Sequence, residues 1–276
     1  MVAEQQTLRS NQKPARNGVR IKTIALPAEH GGWGLLFEPV ALGLLLAPSV
    51  AGFYLALSAV GFFLARHPLT LVVLNRRRES PRTALAKRFA AIYLAIGAAS
   101  FIAALIFTQR IFIFPLLVAA PFAFVQLAYD WTGNRRVLLS EVSGAIAISS
   151  LAAMIALSAG LPKPLSFALW AIMIARAVPA ILYVRAIIAR LHRQSSSALP
   201  MLLAHAAAVF AMGFLYQGGL APFLAVVVML VLLLRASIVF AFAKPNRVTA
   251  KQLGFSEIAF GAVTVFAIAL GNAFGM

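Results

Sequence analysis

The sequence contains no cysteine, only 7 Asp and Glu residues, and only 11% charged residues. The absence of cysteine excludes disulfides, thiolate metal sites and cysteine nucleophiles. Roughly a quarter of the residues in soluble domains are charged, so the composition excludes an ordinary soluble protein. The chain also lacks a glycine-rich phosphate loop, a histidine cluster with metal-ligand spacing and a serine nucleophile elbow. We therefore predict no metal ligands, and the sequence indicates no cofactor.

Hydrophobic residues make up 62% of the chain and occur in blocks long enough to cross a membrane as helices. The blocks are continuously apolar, whereas strands of a membrane barrel would alternate over about ten residues. The sequence therefore predicts an all-α, polytopic transmembrane helical bundle. Its spans are expected at about 31–48, 51–74, 89–109, 111–129, 138–160, 165–184, 198–217, 219–243 and 254–274.

The 24 Lys and Arg residues lie almost entirely on one side of these nine spans. Short loops rich in Lys and Arg stay cytoplasmic, which predicts a cytoplasmic N-terminus and an outer C-terminus. Residues 1–26 are expected to be a disordered basic cytoplasmic tail without a signal peptide, and 27–276 a single nine-helix domain. The net charge of +17 therefore points to anionic membrane lipids as partners and not to nucleic acid. No protein partner is indicated.

Two of the predicted cytoplasmic connections are longer than a tight turn and rich in charge. One runs from Asn75 through Arg76 to Thr83 and on to Lys87 and Arg88, and the other covers residues 185–197. The connections on the outer side are short. Any chemistry is therefore expected at the cytoplasmic face.

Five charged or titratable residues fall inside the predicted spans: Glu38, Arg66, His67, Arg176 and Arg235. Such residues cost at least roughly 2.5–3.5 kcal/mol each on insertion and usually mark function. The three arginines lie nine or ten residues from the first basic residue at their cytoplasmic exit, a depth of roughly 14 Å. We expect them to converge with Glu38 in a cavity with surplus positive charge. Guanidinium groups suit phosphate, pyrophosphate or carboxylate because their planar fork binds oxyanions through paired hydrogen bonds.

An alternative is that Glu38 neutralises one arginine while the other two reach the interface or pair with Glu141 and Glu257. A second local signature, Pro27 to Gly34, places an acid and an imidazole, Glu29 and His30, at the start of the first span. These adjacent side chains point to different sides of a helix, so a helix cap is an alternative to acid–base catalysis. Pro39 predicts a kink beside Glu38.

The opening from Leu26 to Gly34, followed by Glu38 and Pro39, resembles the bacterial YwiC-like membrane protein family, as do the 75–78 loop and the segment 130–141. The resemblance spans most of the chain and implies a multi-pass protein of the bacterial cytoplasmic (inner) membrane. The layout also resembles, remotely, the UbiA-type intramembrane prenyltransferases. In that family, two Asp-rich motifs after spans 2 and 6 hold magnesium against a prenyl pyrophosphate. Here neither stretch contains Asp, so the magnesium clamp cannot assemble, and only Asn75 matches the first motif.

We therefore expect a membrane protein that binds an amphipathic, lipid- or isoprenoid-phosphate-like anion in a cytoplasm-facing cavity. If it is an enzyme, metal-independent transferase or lyase chemistry is expected. The alternatives are a transporter of a small organic anion, supported by prolines in spans 1, 2 and 6, and a scaffold subunit whose buried charges pair with each other. The candidate catalytic residues are Glu29, His30, Glu38 and His67. The candidate ligand-binding residues are Arg66, Asn75, Arg76, Asn134, Arg135, Glu141, Arg176, Arg185, Arg235 and Glu257.

Overall fold

The computed structural model describes residues 21–26, 30–75, 80–108, 112–134, 136–242 and 249–275. In these ranges the chain is helical and contains no strand, which confirms the predicted fold class. The helices are α1 (Lys22–Ala25), α2 (His30–Leu46), α3 (Val50–Leu74), α4 (Pro81–Ile106), α5 (Phe114–Trp131), α6 (Leu138–Ser158), α7 (Lys163–Leu191), α8 (Leu199–Gln217), α9 (Phe223–Phe242) and α10 (Ala250–Phe274).

Eight of these helices, α3 to α10, are long and apolar enough to cross a membrane. Helix α2 is also apolar and has 17 residues, which reach about 26 Å at 1.5 Å per residue. It lies among the long helices α3, α6, α7 and α10. Large apolar side chains cover the outer faces of the bundle, as expected for a surface in contact with lipid tails. The protein is therefore a multi-pass membrane protein, and its orientation stays a prediction.

The centre of the bundle is formed by α6 and α7, in each of which 56% of the most apolar stretch is buried. Helix α2 packs against α6 on one side and against α10 on another. A core of apolar residues from α2, α6, α7, α8, α9 and α10 joins these helices. Glu38 of α2, Arg176 of α7 and Glu257 of α10 therefore lie at the inner seams of the bundle and not on its lipid-facing surface.

Helices α3 and α4 form the most extensive helix pair. At their crossing, Gly61 packs against the backbone of Gly97, and a Cβ on Gly61 would come within 2.7 Å of the Gly97 nitrogen. Small residues let membrane helices approach closely, so dispersion contacts can hold the pair where no hydrophobic driving force exists. Ser58 strengthens the seam by donating a hydrogen bond to the Gly97 carbonyl at 2.9 Å.

The two largest differences from the predicted spans are at helix ends on the basic side of the bundle. Helix α4 begins at Pro81, where Ser80 caps it by accepting a hydrogen bond from the backbone nitrogen of Thr83. Helix α7 continues to Leu191, seven residues beyond the predicted span. Both predicted connections were therefore too long, because hydropathy detects the hydrocarbon layer and a helix can continue into the head-group region. Helix α1 lies within the predicted tail and buries Ile24.

Candidate functional site

Four charged side chains from four helices meet at the seam of α2, α7, α9 and α10. The Glu257 carboxylate lies 3.2 Å from Nη1 of Arg176 and 2.6 Å from Nη2 of Arg235. Arg176 also donates from Nη2 to the backbone carbonyl of Glu257 at 2.8 Å. Glu38 completes the group, with its Oε2 at 3.7 Å from Nε of Arg176. We call Glu38, Arg176, Arg235 and Glu257 the charge cluster.

The Arg235 guanidinium lies between two aromatic rings. Its carbon is 4.6 Å from the centroid of Tyr183 and 4.0 Å from that of Phe260. Its Nη2 also donates to Ser256 Oγ at 3.2 Å. Beside these rings, 14% of the Arg235 side chain remains exposed. Cation–π contacts become stronger when the cation is desolvated, so the rings fix the orientation of Arg235.

Glycines make room for the Glu38 side chain between α2 and α10. A Cβ on Gly261 would overlap the Glu38 carboxylate, and one on Gly34 would lie 3.4 Å from Oε1. Pro39 follows inside α2, where it removes one backbone hydrogen bond of the helix. The position of the carboxylate against α10 therefore depends on the missing Cβ of Gly261, whereas a Cβ on Gly34 would only touch it.

The formal charges of the charge cluster cancel, since two guanidiniums face two carboxylates. This differs from the predicted surplus of positive charge. Within the described ranges, Nε of Arg176 and Oε1 of Glu257 make no hydrogen bond, although each faces an opposite charge. Glu257 is the shared partner of both arginines, while Glu38 makes only the longer contact. Of the two carboxylates, Glu38 is the more weakly bound.

Arg66, the third predicted guanidinium, pairs elsewhere. Its Nε and Nη2 donate to the two oxygens of Asp130 at the end of α5, the second at 2.9 Å. With its side-chain amide turned by 180°, the orientation that satisfies both of its polar atoms, the Gln126 oxygen accepts from both terminal nitrogens of Arg66, at 3.1 and 3.3 Å. Asp130 is fully buried, and Gly144 of α6 leaves space for Gln126. The predicted convergence of three arginines was therefore wrong for Arg66, because a second acid lies closer to it.

The other candidates lie away from the charge cluster or outside the described residues. His67 Nε2 lies 3.1 Å from the carbonyl of Thr23 in α1. Arg185 pairs with Glu141 at 2.9 Å near the exposed end of α7. Asn75 bonds to its own helix, and Asn134 is exposed. Glu29, Arg76, Arg135 and the side chain of His30 lie outside the described residues. In the described ranges no three His, Asp or Glu side chains come together as a metal site.

Sequence reasoning missed the aromatic and hydroxyl partners of Arg235. Tyr183 follows Arg176 by seven residues on α7, a spacing of two turns that places both on one face. Phe260 follows Glu257 by three residues, which also brings the two side chains together on α10. These spacings were a usable signal once Arg176 and Glu257 had been selected. Ser256 carried no comparable signal, because its role depends on the approach of α9.

Part of the chain matches a known protein family. The model of the YwiC-like protein family matches residues 26–157. This range contains the residues on which the resemblance was based, but it ends within α6 and does not span most of the chain. No curated protein and no solved structure matches the chain. The likeness to UbiA-type prenyltransferases therefore stays a prediction. Over residues 26–157, close to half of its length, this membrane protein is similar to the YwiC-like protein family.

Proposed function

We propose that the protein binds an amphipathic anion, of the lipid- or isoprenoid-phosphate type, through Arg176 and Arg235. One observation supports this most strongly: guanidiniums from two helices, 59 positions apart in the sequence, converge on the single carboxylate of Glu257. Glu257 thus holds two guanidiniums close together, and a phosphate or carboxylate head group that enters beside them can bind to both. Arginine remains charged when buried and binds oxyanions with paired hydrogen bonds.

In this proposal the ligand replaces Glu38 and not Glu257. Arg176 has a donor, Nε, that makes no hydrogen bond within the described residues and faces Glu38 at 3.7 Å. An oxyanion that enters at this point gains a charge-assisted hydrogen bond, whereas Glu38 gives up only a long contact. Glu257 and the two aromatic rings keep the guanidiniums in position before and after binding. The carboxylates thus lower the cost of burying two cations in the ligand-free protein.

The surroundings of Arg235 support entry from the lipid. Arg235 is partly exposed, and its neighbours on α9, Leu234 and Ile238, are more than half exposed on the outer face of the bundle. A head group at Arg235 could therefore have its apolar chain along α9, in contact with lipid tails. This arrangement matches an amphipathic anion better than a fully soluble one.

Binding of radiolabelled dodecyl phosphate to the purified protein tests the proposal. Arg176→Ala should weaken binding about tenfold or more, because a hydrogen bond to a charged group contributes about 1.5–3 kcal/mol. Arg176→Lys should restore part of the affinity, since it keeps the charge and loses the fork. Arg190→Ala is the matched control on the same helix, where Arg190 contacts the Phe240 ring and no carboxylate of the charge cluster. Saturable binding that is absent, or equal in all variants, would refute the proposal.

A second candidate function is the transport of a small organic anion. It is favoured by prolines inside three helices close to buried charges: Pro39 next to Glu38, Pro68 near Arg66 and Pro179 near Arg176. A proline frees a backbone carbonyl and permits a kink, and transporters use such broken helices at their binding sites. Uptake of radiolabelled carboxylates by proteoliposomes under a pH gradient tests this function. Enzymatic turnover would instead consume a prenyl phosphate in the absence of any gradient.

The scaffold alternative is supported by the pairing of the described buried arginines with carboxylates. It predicts that stability depends on each buried charge having an opposite partner, and not on which residue of a pair carries the positive charge. Reversal of all four charges of the charge cluster (Glu38→Arg, Arg176→Glu, Arg235→Glu and Glu257→Arg) should then restore stability to that of the natural protein and leave cell growth unchanged. Restored stability combined with lost dodecyl phosphate binding would instead favour the anion site.

A further inference from the structure

A pocket lies at the opposite end of the bundle from the charge cluster. Its volume is about 280 Å³. It is bounded by the last turns of α2, α8 and α10, the first turns of α7, and the connections around residues 161 and 219–222. Its lining is mostly apolar, with leucine the most frequent residue and polar side chains contributed by Tyr216 and Asn272. Neither the charge cluster nor the family match accounts for this pocket.

The pocket and the charge cluster lie on the same three helices. On α2 the pocket residue Leu46 comes eight residues after Glu38, and on α10 Ile268 comes eleven after Glu257. On α7, Leu169 comes seven residues before Arg176. At 1.5 Å per residue these intervals correspond to about 10–17 Å along the helix axes. The charge cluster and the pocket therefore lie at different heights along the same seam of α2, α7 and α10.

Between the two levels, apolar side chains close the seam. Leu42 and Ile172 are fully buried, and Met173 and Val265 are at most 3% exposed. All four belong to one contiguous core cluster. Leu42 on α2, Ile172 and Met173 on α7, and Val265 on α10 each lie between the charge cluster and the pocket along their helix. We call these four residues the apolar plug.

We propose that the pocket is the second mouth of a path along this seam, and that the apolar plug closes the path to the anion held at Arg176 and Arg235. This inference rests on the anion site proposed above and extends it from binding to passage. An apolar constriction blocks water and ions by dewetting, and opening it requires only small movements of side chains or helices. Pro39 lies in α2 between Glu38 and Leu42, where a missing hydrogen bond permits such a movement.

The chain has no cysteine, so single cysteines introduced into it can be labelled without a background. In proteoliposomes, Asn272→Cys should react with a membrane-impermeant thiol reagent, because the pocket is expected to be aqueous. Met173→Cys should react slowly, and dodecyl phosphate should accelerate the reaction about tenfold or more. Phe210→Cys is the control, since Phe210 is 79% exposed on α8 and should face lipid. It should stay unlabelled with and without the anion.

Two results would overturn the path. One is no labelling at Asn272→Cys, and the other is a Met173→Cys rate that dodecyl phosphate leaves unchanged. Val265→Cys provides a second plug position if Met173→Cys does not fold. Dodecyl phosphate binding is measured on the same samples, which separates the two proposals. If dodecyl phosphate binds but does not change the labelling rate of Met173→Cys, the path alone is refuted. If dodecyl phosphate does not bind, the anion site and the path are refuted together.

Discussion

Removal of the Glu257 carboxylate is expected to destabilise the protein more than removal of any surface acid. Glu257 neutralises both Arg176 and Arg235, and the Arg176 side chain is only 3% exposed. In Glu257→Ala, two guanidiniums at the seam would share the single carboxylate of Glu38, which lies 3.7 Å from Arg176. The variant therefore leaves an uncompensated cation where water has little access.

The expected loss is about 3–5 kcal/mol, which is typical when one partner of a buried ion pair is removed. The backbone carbonyl of residue 257 still accepts from Arg176 in the variant, so the loss should not exceed this range. Glu141→Ala is the matched control, because Glu141 pairs with Arg185 while their side chains are 33% and 42% exposed. An exposed pair of this kind contributes about 0–1 kcal/mol.

The free energy of unfolding of both variants can be measured in mixed detergent micelles by titration with a denaturing detergent. A double variant, Glu257→Ala with Arg176→Ala, should recover part of the loss, with a coupling energy of about 0.5–3 kcal/mol. If Glu257→Ala loses no more stability than Glu141→Ala, the argument from burial is refuted. Additive losses in the double variant would show that the pair is not coupled.

Three further predictions concern close packing and the exchange of charge at the seam. Gly261→Ala should lower the free energy of unfolding by about 1–3 kcal/mol, because its Cβ would overlap the Glu38 carboxylate. Gly254→Ala, on the same helix with nothing within 4 Å, should be neutral or gain up to about 1 kcal/mol. Gly61→Ala should lose about 1–3 kcal/mol at the crossing of α3 and α4, whereas Gly213→Ala has open space and should lose nothing. Equal effects within either glycine pair, measured by the same titration, would contradict these contacts. Glu38→Gln should bind dodecyl phosphate about tenfold more tightly, because the carboxylate charge that competes for Arg176 is gone. A tenfold change in affinity corresponds to about 1.4 kcal/mol. Unchanged or weaker binding would show that Glu38 does not compete.

The sequence alone determined the membrane class, the helical fold and the approximate positions of the eight described helices that are long enough to cross a membrane. These properties follow from local composition, because about 20 apolar residues are enough to cross the hydrocarbon layer as a helix. The YwiC-like resemblance was also readable from a short segment, residues 26–39, and the family match confirmed it over residues 26–157. Helix ends were less predictable, since α7 continues through Arg185 and Arg190 to Leu191.

Tertiary structure alone decided which charges meet. Arg176 and Glu257 are 81 positions apart, and Arg66 and Asp130 are 64 positions apart. Hydropathy places each residue at a depth but does not indicate which face of which neighbouring helix it meets. The sequence therefore identified Arg66, Arg176 and Arg235 as residues that are costly to insert into a membrane, yet it predicted that all three converge in one cavity. Helix packing separated Arg66 from the other two and balanced both groups with carboxylates, because a buried charge is stable only beside an opposite one.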